Sequence, residues 1–372
     1  MSGASASAAS PTEATASAPA VRTRMAVRLG LLALGAAAML AGLYGGLWRL
    51  GFDLPHATTA GELHGPLLIC GLFGTVIGLE RAVALGRGLA FLAPGFAALG
   101  TLLLLAGAPV PVGAAAYAAA ALVLAGATLV ITLQQPAIFT VTLLAATLSW
   151  LAGDLLWLAG SAVPDVVGFW LGFLILTIAG ERLELSRLTA RKRGSEALFL
   201  LAVALLAAGA VLGPWDALGA PLLGLALLAL TIWLLRHDVV RHTVRQPGRT
   251  RFMASCMLAG YFWLGAGGLL LLAMPPADTA FGYDAALHAV LIGFVLSMVF
   301  GHALIILPAV ARVRIAYRPV LYGPLVLLHG SLALRIAGDV LAWQDGRLAS
   351  GPLTLVALLG FVAAIATGIQ RR

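Results

Sequence analysis

Of 372 residues, 61% are hydrophobic and only 10% are charged, and the mean hydropathy is +1.01. A soluble domain of this length cannot hide so much apolar surface, so a bilayer must act as solvent. The net charge of +8 then reads as cationic loops facing an anionic leaflet rather than as a nucleic-acid footprint.

Residues 1–24, MSGASASAASPTEATASAPAVRTR, are rich in Ala, Ser, Pro and Thr and read as a disordered tail. Their arginines come late, and the apolar stretch that follows is long enough to span, which is unlike a secretory signal. From there to residue 372 the chain reads as one all-α polytopic membrane domain. Twelve apolar runs begin near Val27, Leu63, Leu89, Val112, Ala137, Asp165, Glu196, Ala217, Phe252, Tyr283, Pro319 and Gly351, each reaching the roughly 17–20 residues that a span requires. The third and fourth are separated only by AGAPVPV, the place where a boundary is hardest to draw. Pro136, Pro164, Pro214, Pro275 and Pro276 fall between spans, where a missing N–H does no damage. The two cysteines, Cys70 and Cys256, lie inside apolar runs and read as buried thiols rather than a disulfide framework.

Threading twelve spans from an N-terminus inside places 20 of the 23 lysines and arginines on the cytoplasmic side. These include Arg22, Arg24 and Arg28, the cluster Arg187, Arg191, Lys192 and Arg193, and the terminal Arg371 and Arg372. Only Arg49, Arg335 and Arg347 are left on the other face. Such asymmetry predicts a bacterial-type inner-membrane protein with both termini cytoplasmic.

Spans two, six and ten share a pattern. Gly71, Gly172 and Gly293 each precede by nine residues a polar side chain, Glu80, Glu181 or His302, with Gly78, Gly180 and Gly301 close before it. The interval is four spans each time, so the domain divides into three four-helix units at about 25–134, 135–236 and 249–370. Glu80–Arg81 and Glu181–Arg182 fall near the inner interface, where adjacent opposite charges snorkel or pair with neighbours. Asp154 in span five, flanked by Trp150 and Trp157, reads as part of an interfacial aromatic belt.

Of seven histidines, His56, His237 and His242 fall in loops and read as solvated. His64, His288, His302 and His329 lie in apolar segments, where an ionisable group is a functional candidate. On an α-helix His288 and His302, fourteen residues apart, would share one stripe within about 40° and be separated by about 21 Å. His64 opens span two and His288 opens span ten, and both spans run in the same direction, so their rings sit at matched depth. Two neutral imidazoles so placed suit the opposite faces of a haem iron. Asp284, one turn before His288, is placed to accept that ring's other N–H. Arg335 would either pair with Asp339 on its own helix or meet a haem propionate. His302 and His329, on consecutive antiparallel spans, form a second candidate metal pair.

Twelve spans in three groups of four, with histidines on spans two and ten, resemble the catalytic subunit of haem–copper oxidases and nitric oxide reductases. Span ten is more similar to the NnrS family of haem- and copper-containing membrane proteins associated with nitric oxide stress. His288, Gly293, Met298 and Gly301-His302 carry that likeness, with His64 and Gly71 in span two. The resemblance implies a bundle like subunit I of those oxidases and a haem, of b type, held by His64 and His288. It also implies copper as a second metal, a redox role in nitric oxide stress or respiration, and a respiratory electron donor or quinol as partner. The family's aromatic N-terminal signature and double-histidine motif are absent, and spans six and seven lack histidine. Terminal oxygen reduction is therefore not expected. The rival reading is a proton- or cation-coupled secondary transporter that uses Glu80, Glu181 and His302.

Overall fold

A computed structural model describes residues 18–186 and 194–370, with side chains from Thr23 onward. Twelve helices are long and apolar enough to cross a membrane. In chain order they are α1 (Ala18–Arg49), α2 (His64–Leu85), α3 (Gly88–Leu105), α4 (Val110–Gln134), α5 (Ile138–Leu158) and α6 (Val163–Ser186). They continue with α7 (Ser195–Leu212), α8 (Gly219–His237), α9 (Arg249–Ala273), α10 (Gly282–Ala311), α11 (Pro319–Val340) and α12 (Gln344–Gly368). The chain is an all-α polytopic membrane protein. Among the described residues, strand is confined to Arg314–Ile315 (β1) and Ile369–Gln370 (β2), an antiparallel clasp tying the α10–α11 loop to the segment after α12.

Ten of the twelve helices begin within about one turn of the apolar run that announced them. The exceptions are α1, which starts at Ala18 rather than near Val27, and α12, which starts at Gln344 rather than near Gly351. Its polar first turns are helical because Asp345 suits a helix N-terminus and because Arg347 turns inward onto Asp339. The helix of α1 already runs from Ala18, inside the stretch expected as a tail; Pro19 is tolerated there because a first-turn N–H has no intrahelical acceptor. The rest of that tail, the cluster Arg187, Arg191, Lys192 and Arg193, and the terminal Arg371 and Arg372 lie outside the described residues.

Successive helices pack side by side along the whole chain, and α12 and α10 return to α1, with α10 also reaching α2. Helix α6 is the most enclosed, 72% of its apolar window being buried against 28% for α1 and α11. The aligned glycines set how closely the preceding helix approaches. A Cβ on Gly71 would meet Ala38 of α1 at 3.1 Å, one on Gly172 Ser149 of α5 at 2.6 Å, and one on Gly293 Trp263 of α9 at 2.4 Å. Without a hydrophobic drive between helices in lipid, such small-residue contacts supply the packing.

Helices α8 and α9 approach backbone to backbone, where a Cβ on Gly224 would lie 2.8 Å from the Gly268 carbonyl, and one on Gly268 2.7 Å from that of Gly224. Either Gly224→Val or Gly268→Val should lower the thermal midpoint in detergent, as expected for overpacking of about 1–3 kcal/mol. Gly126→Val, at a lipid-facing position with nothing within 4 Å, should leave the midpoint unchanged in the same melt.

Candidate functional site

The histidine face

At the end of the bundle opposite the arginine-rich loops, His64 and His288 meet. Their ring centroids are 6.3 Å apart, with planes inclined by 22°. The first turns of α2 and α10 bring them there, and both helices then widen: Leu67–Phe73 and Ala289–Leu296 are π-helical. π-type turns are rare and concentrate at functional sites. Here they contain Gly71 and Gly293, which let the swollen backbone press against its neighbours. A wider turn rotates less per residue than an α-helical one, so the α-helical count that put His288 and His302 on one stripe does not apply across it; the two rings meet α2 and α6 respectively.

Both rings have one nitrogen committed. His64 Nδ1 donates to the Gly42 carbonyl at 2.6 Å. His288 Nδ1 donates to the Asp284 carbonyl at 2.8 Å and lies 3.1 Å from that residue's Oδ1. This fixes the tautomers and leaves each Nε2 lone pair without a hydrogen-bond partner among the described residues. The His64 ring also has a cut seat: a Cβ on Gly46 would come within 2.7 Å of its Cε1.

Asp284 anchors a charged network. Arg335 grips it through two nitrogens at 2.8 and 3.1 Å, and Arg347 reaches it at 3.6 Å. The intrahelical Arg335–Asp339 pair is not formed: Asp339 takes Arg347 at 2.5 Å instead, and Arg347 also lies 4.0 Å over the Phe281 ring. Asp284 and Asp339 thus bind across helices, because each carboxylate is turned away from lipid toward a guanidinium on a neighbouring element. Removing one partner from such a pair costs about 3–5 kcal/mol. Exposed Arg49 is near enough to act electrostatically on His64 and Tyr283. All three cations of this face therefore gather at the histidine pair. Arg49 and Arg347 were not singled out from sequence, although their isolation from the other twenty cations was the available signal.

The arginine-rich face

The other two membrane histidines are engaged differently. His302 Nδ1 donates to the Met298 carbonyl at 2.7 Å, and its Nε2 accepts from Arg182 Nη2 at 3.0 Å. His329 Nδ1 accepts from Trp263 at 2.9 Å, and its Nε2 donates to Ser297 Oγ at 3.3 Å. Protein groups hydrogen-bond to both nitrogens of both rings, unlike the open Nε2 positions of His64 and His288. No group of three or more His, Cys, Asp or Glu residues is disposed to hold a metal among the described residues.

Contacts between the aligned positions run in one direction. Arg81 of α2 pairs with Glu181 of α6 at 2.6 Å, and Arg182 of α6 bonds to His302 of α10. The corresponding place on α10 is Ala303, which has nothing to send to Glu80. Glu80 forms no hydrogen bond or salt bridge with another described residue. Nearby, Asp238 accepts from Tyr261 Oη at 2.5 Å and from the Val240 N–H at 2.9 Å.

Two further expectations are corrected. His237 is not solvated: its Nε2 lies 3.0 Å from Ser195 Oγ and its ring packs on Trp233, because the start of α7 abuts the end of α8. Trp150, Asp154 and Trp157 form no interfacial belt, since all three are buried. Trp150 stacks on Phe173 at 4.7 Å, and Asp154 accepts from Trp170 Nε1 at 2.9 Å and from the Cys70 thiol at 3.3 Å. Gly74 and Gly153 make room for the two indoles.

Together, fold and site define a twelve-span helical membrane protein carrying a paired-imidazole site at one end of its bundle. Residues 28–369 match the model of a domain of unknown function, DUF8744, and the chain belongs to that family. No curated protein matches it.

Arg81→Glu should lower the detergent melting midpoint by setting two acids side by side, and Arg81→Glu with Glu181→Arg should restore most of the loss. A double variant no better than the single one would remove the pairing as a contributor.

Proposed function

We propose that the protein is a haem-binding inner-membrane protein of redox physiology, with His64 and His288 as axial ligands of a b-type haem. The observation that carries this is the imidazole pair itself. Two imidazoles holding one metal at about 2.0–2.1 Å from nitrogen have centroids roughly 6 Å apart, and those of His64 and His288 are 6.3 Å apart. The donor set also fits, since both rings direct Nδ1 to a carbonyl and keep Nε2 available.

A haem so held supplies one-electron chemistry. The chain's own part is to orient and tune. The Gly42 carbonyl holds His64 as the Nδ1–H tautomer, and the Asp284 carbonyl holds His288 in the same way. Arg335, already bidentate on Asp284, and Arg49 are the cations available to propionates. Surrounding spans exclude water. His64 and His288 would hold the group, which would supply electron transfer, and a respiratory donor or quinol would be its electron source. The NnrS-like motif of α10 supports a setting in nitric oxide stress or respiration. Copper at His302 and His329 is the less supported part of the proposal, because protein groups hydrogen-bond to the nitrogens of both rings. A transporter using Glu80, Glu181 and His302 has less support, since guanidinium groups hold two of the three. The arginine-rich face is assigned to the cytoplasm by the distribution of its cations, and the three-unit division at about 25–134, 135–236 and 249–370 is kept.

The test is spectroscopic. Protein purified after haem-replete expression should show Soret and α bands in its reduced-minus-oxidised spectrum, and His64→Ala and His288→Ala should each abolish the six-coordinate signature. His302→Ala should retain it. A wild-type sample without these bands would refute the proposal. Asp284→Asn should keep the spectrum, raise the midpoint potential and weaken haem retention by about 10–100-fold, read by transfer of haem to an apo-acceptor protein.

A further inference from the structure

A cavity of about 170 Å³ opens among α2, α4, α5 and α6 toward the arginine-rich face. Arg81 and Glu184 line its outer part, and Thr128, Thr147 and Thr177 line it further in. Each of these hydroxyls donates to a carbonyl of its own helix, at 2.8, 2.9 and 2.7 Å. Their oxygen lone pairs are left to accept from whatever fills the space, and the volume admits several water molecules.

One turn beyond Thr147 on α5 lies Trp150, and one turn beyond that lies Asp154. Trp150 Nε1 and Asp154 Oδ2 are both buried without a hydrogen-bond partner. An orphaned donor and an orphaned oxygen four residues apart occupy one face of a helix, and an internal water is the ordinary means of satisfying both. No cation reaches the carboxyl. The groups that face it are the Cys70 thiol from α2, the Trp170 indole from α6 and the Tyr117 phenol from α4, the last tied to Thr101 of α3 at 2.9 Å. About 10 Å of helix rise separates Thr147 from Asp154, a gap that one or two waters and the Trp150 N–H can span.

We propose that Asp154 is a proton-exchange site loaded from the arginine-rich face through this cavity. A proton passes from cavity water to Asp154 Oδ2 and returns by the same route; no electron and no other reactant is involved. The site is independent of the haem reading, and it reaches to within about two turns of His64 by way of Cys70 on α2.

Infrared spectroscopy of the full chain in lipid nanodiscs tests this. The wild type should show a carboxylic-acid C=O band that shifts on transfer to deuterated buffer, and Asp154→Asn should remove it. Where that variant fails to assemble, isotopic labelling of aspartate carboxyls in the wild type assigns the band. Thr147→Val with Thr177→Val, which keeps Asp154, should retain the band but slow its deuterium shift about tenfold. A spectrum with no aspartate band of this kind, or a double variant exchanging at the wild-type rate, would overturn the proposal whether or not haem is bound.

Discussion

Inside a bilayer a polar side chain has no water to fall back on, so each one must find its partner on another helix or on its own backbone. In this protein that constraint ties three helices together. Helices α2, α6 and α10 meet through Arg81–Glu181 and Arg182–His302 near one face, and α2 and α10 meet again through His64 and His288 near the other. The remaining nine spans surround these junctions, and their exposed residues are mostly leucine and valine that lipid can solvate.

The two junctions differ in what they leave open. At the arginine-rich junction both nitrogens of His302 are hydrogen-bonded and Arg81 closes on Glu181; such a junction holds a bundle together. At the histidine face, hydrogen bonds stop at Nδ1, and the π-helical widening of α2 and α10 is maintained where the rings lie. The open Nε2 lone pairs and the gathering of Arg49, Arg335 and Arg347 near them are what support the proposed haem site.

A third polar region, around Asp154, obeys the same constraint incompletely. Its indole and thiol donors satisfy one carboxyl oxygen and leave the other bare. The core around it is assembled from aromatic layers, Trp150 on Phe173 and Trp157 against Trp170, and the proposed route to that bare oxygen runs from the cavity that ends at Thr147 and Thr177.

Hydropathy by itself determined the number of spans among the described residues, because transfer from water to lipid depends on local composition. The spacing of Gly71, Gly172 and Gly293 from their polar partners likewise singled out the three inner helices. Which polar group meets which was decided only by tertiary structure. Asp284 and Asp339 chose guanidiniums on other elements, Trp150 and Trp157 turned inward, and His302 and His329 took protein partners, since pairing across helices depends on rotation and depth that one helix's pattern does not contain. The π-helical stretches were invisible for the same reason: a wider turn is held by the neighbours that pack into it.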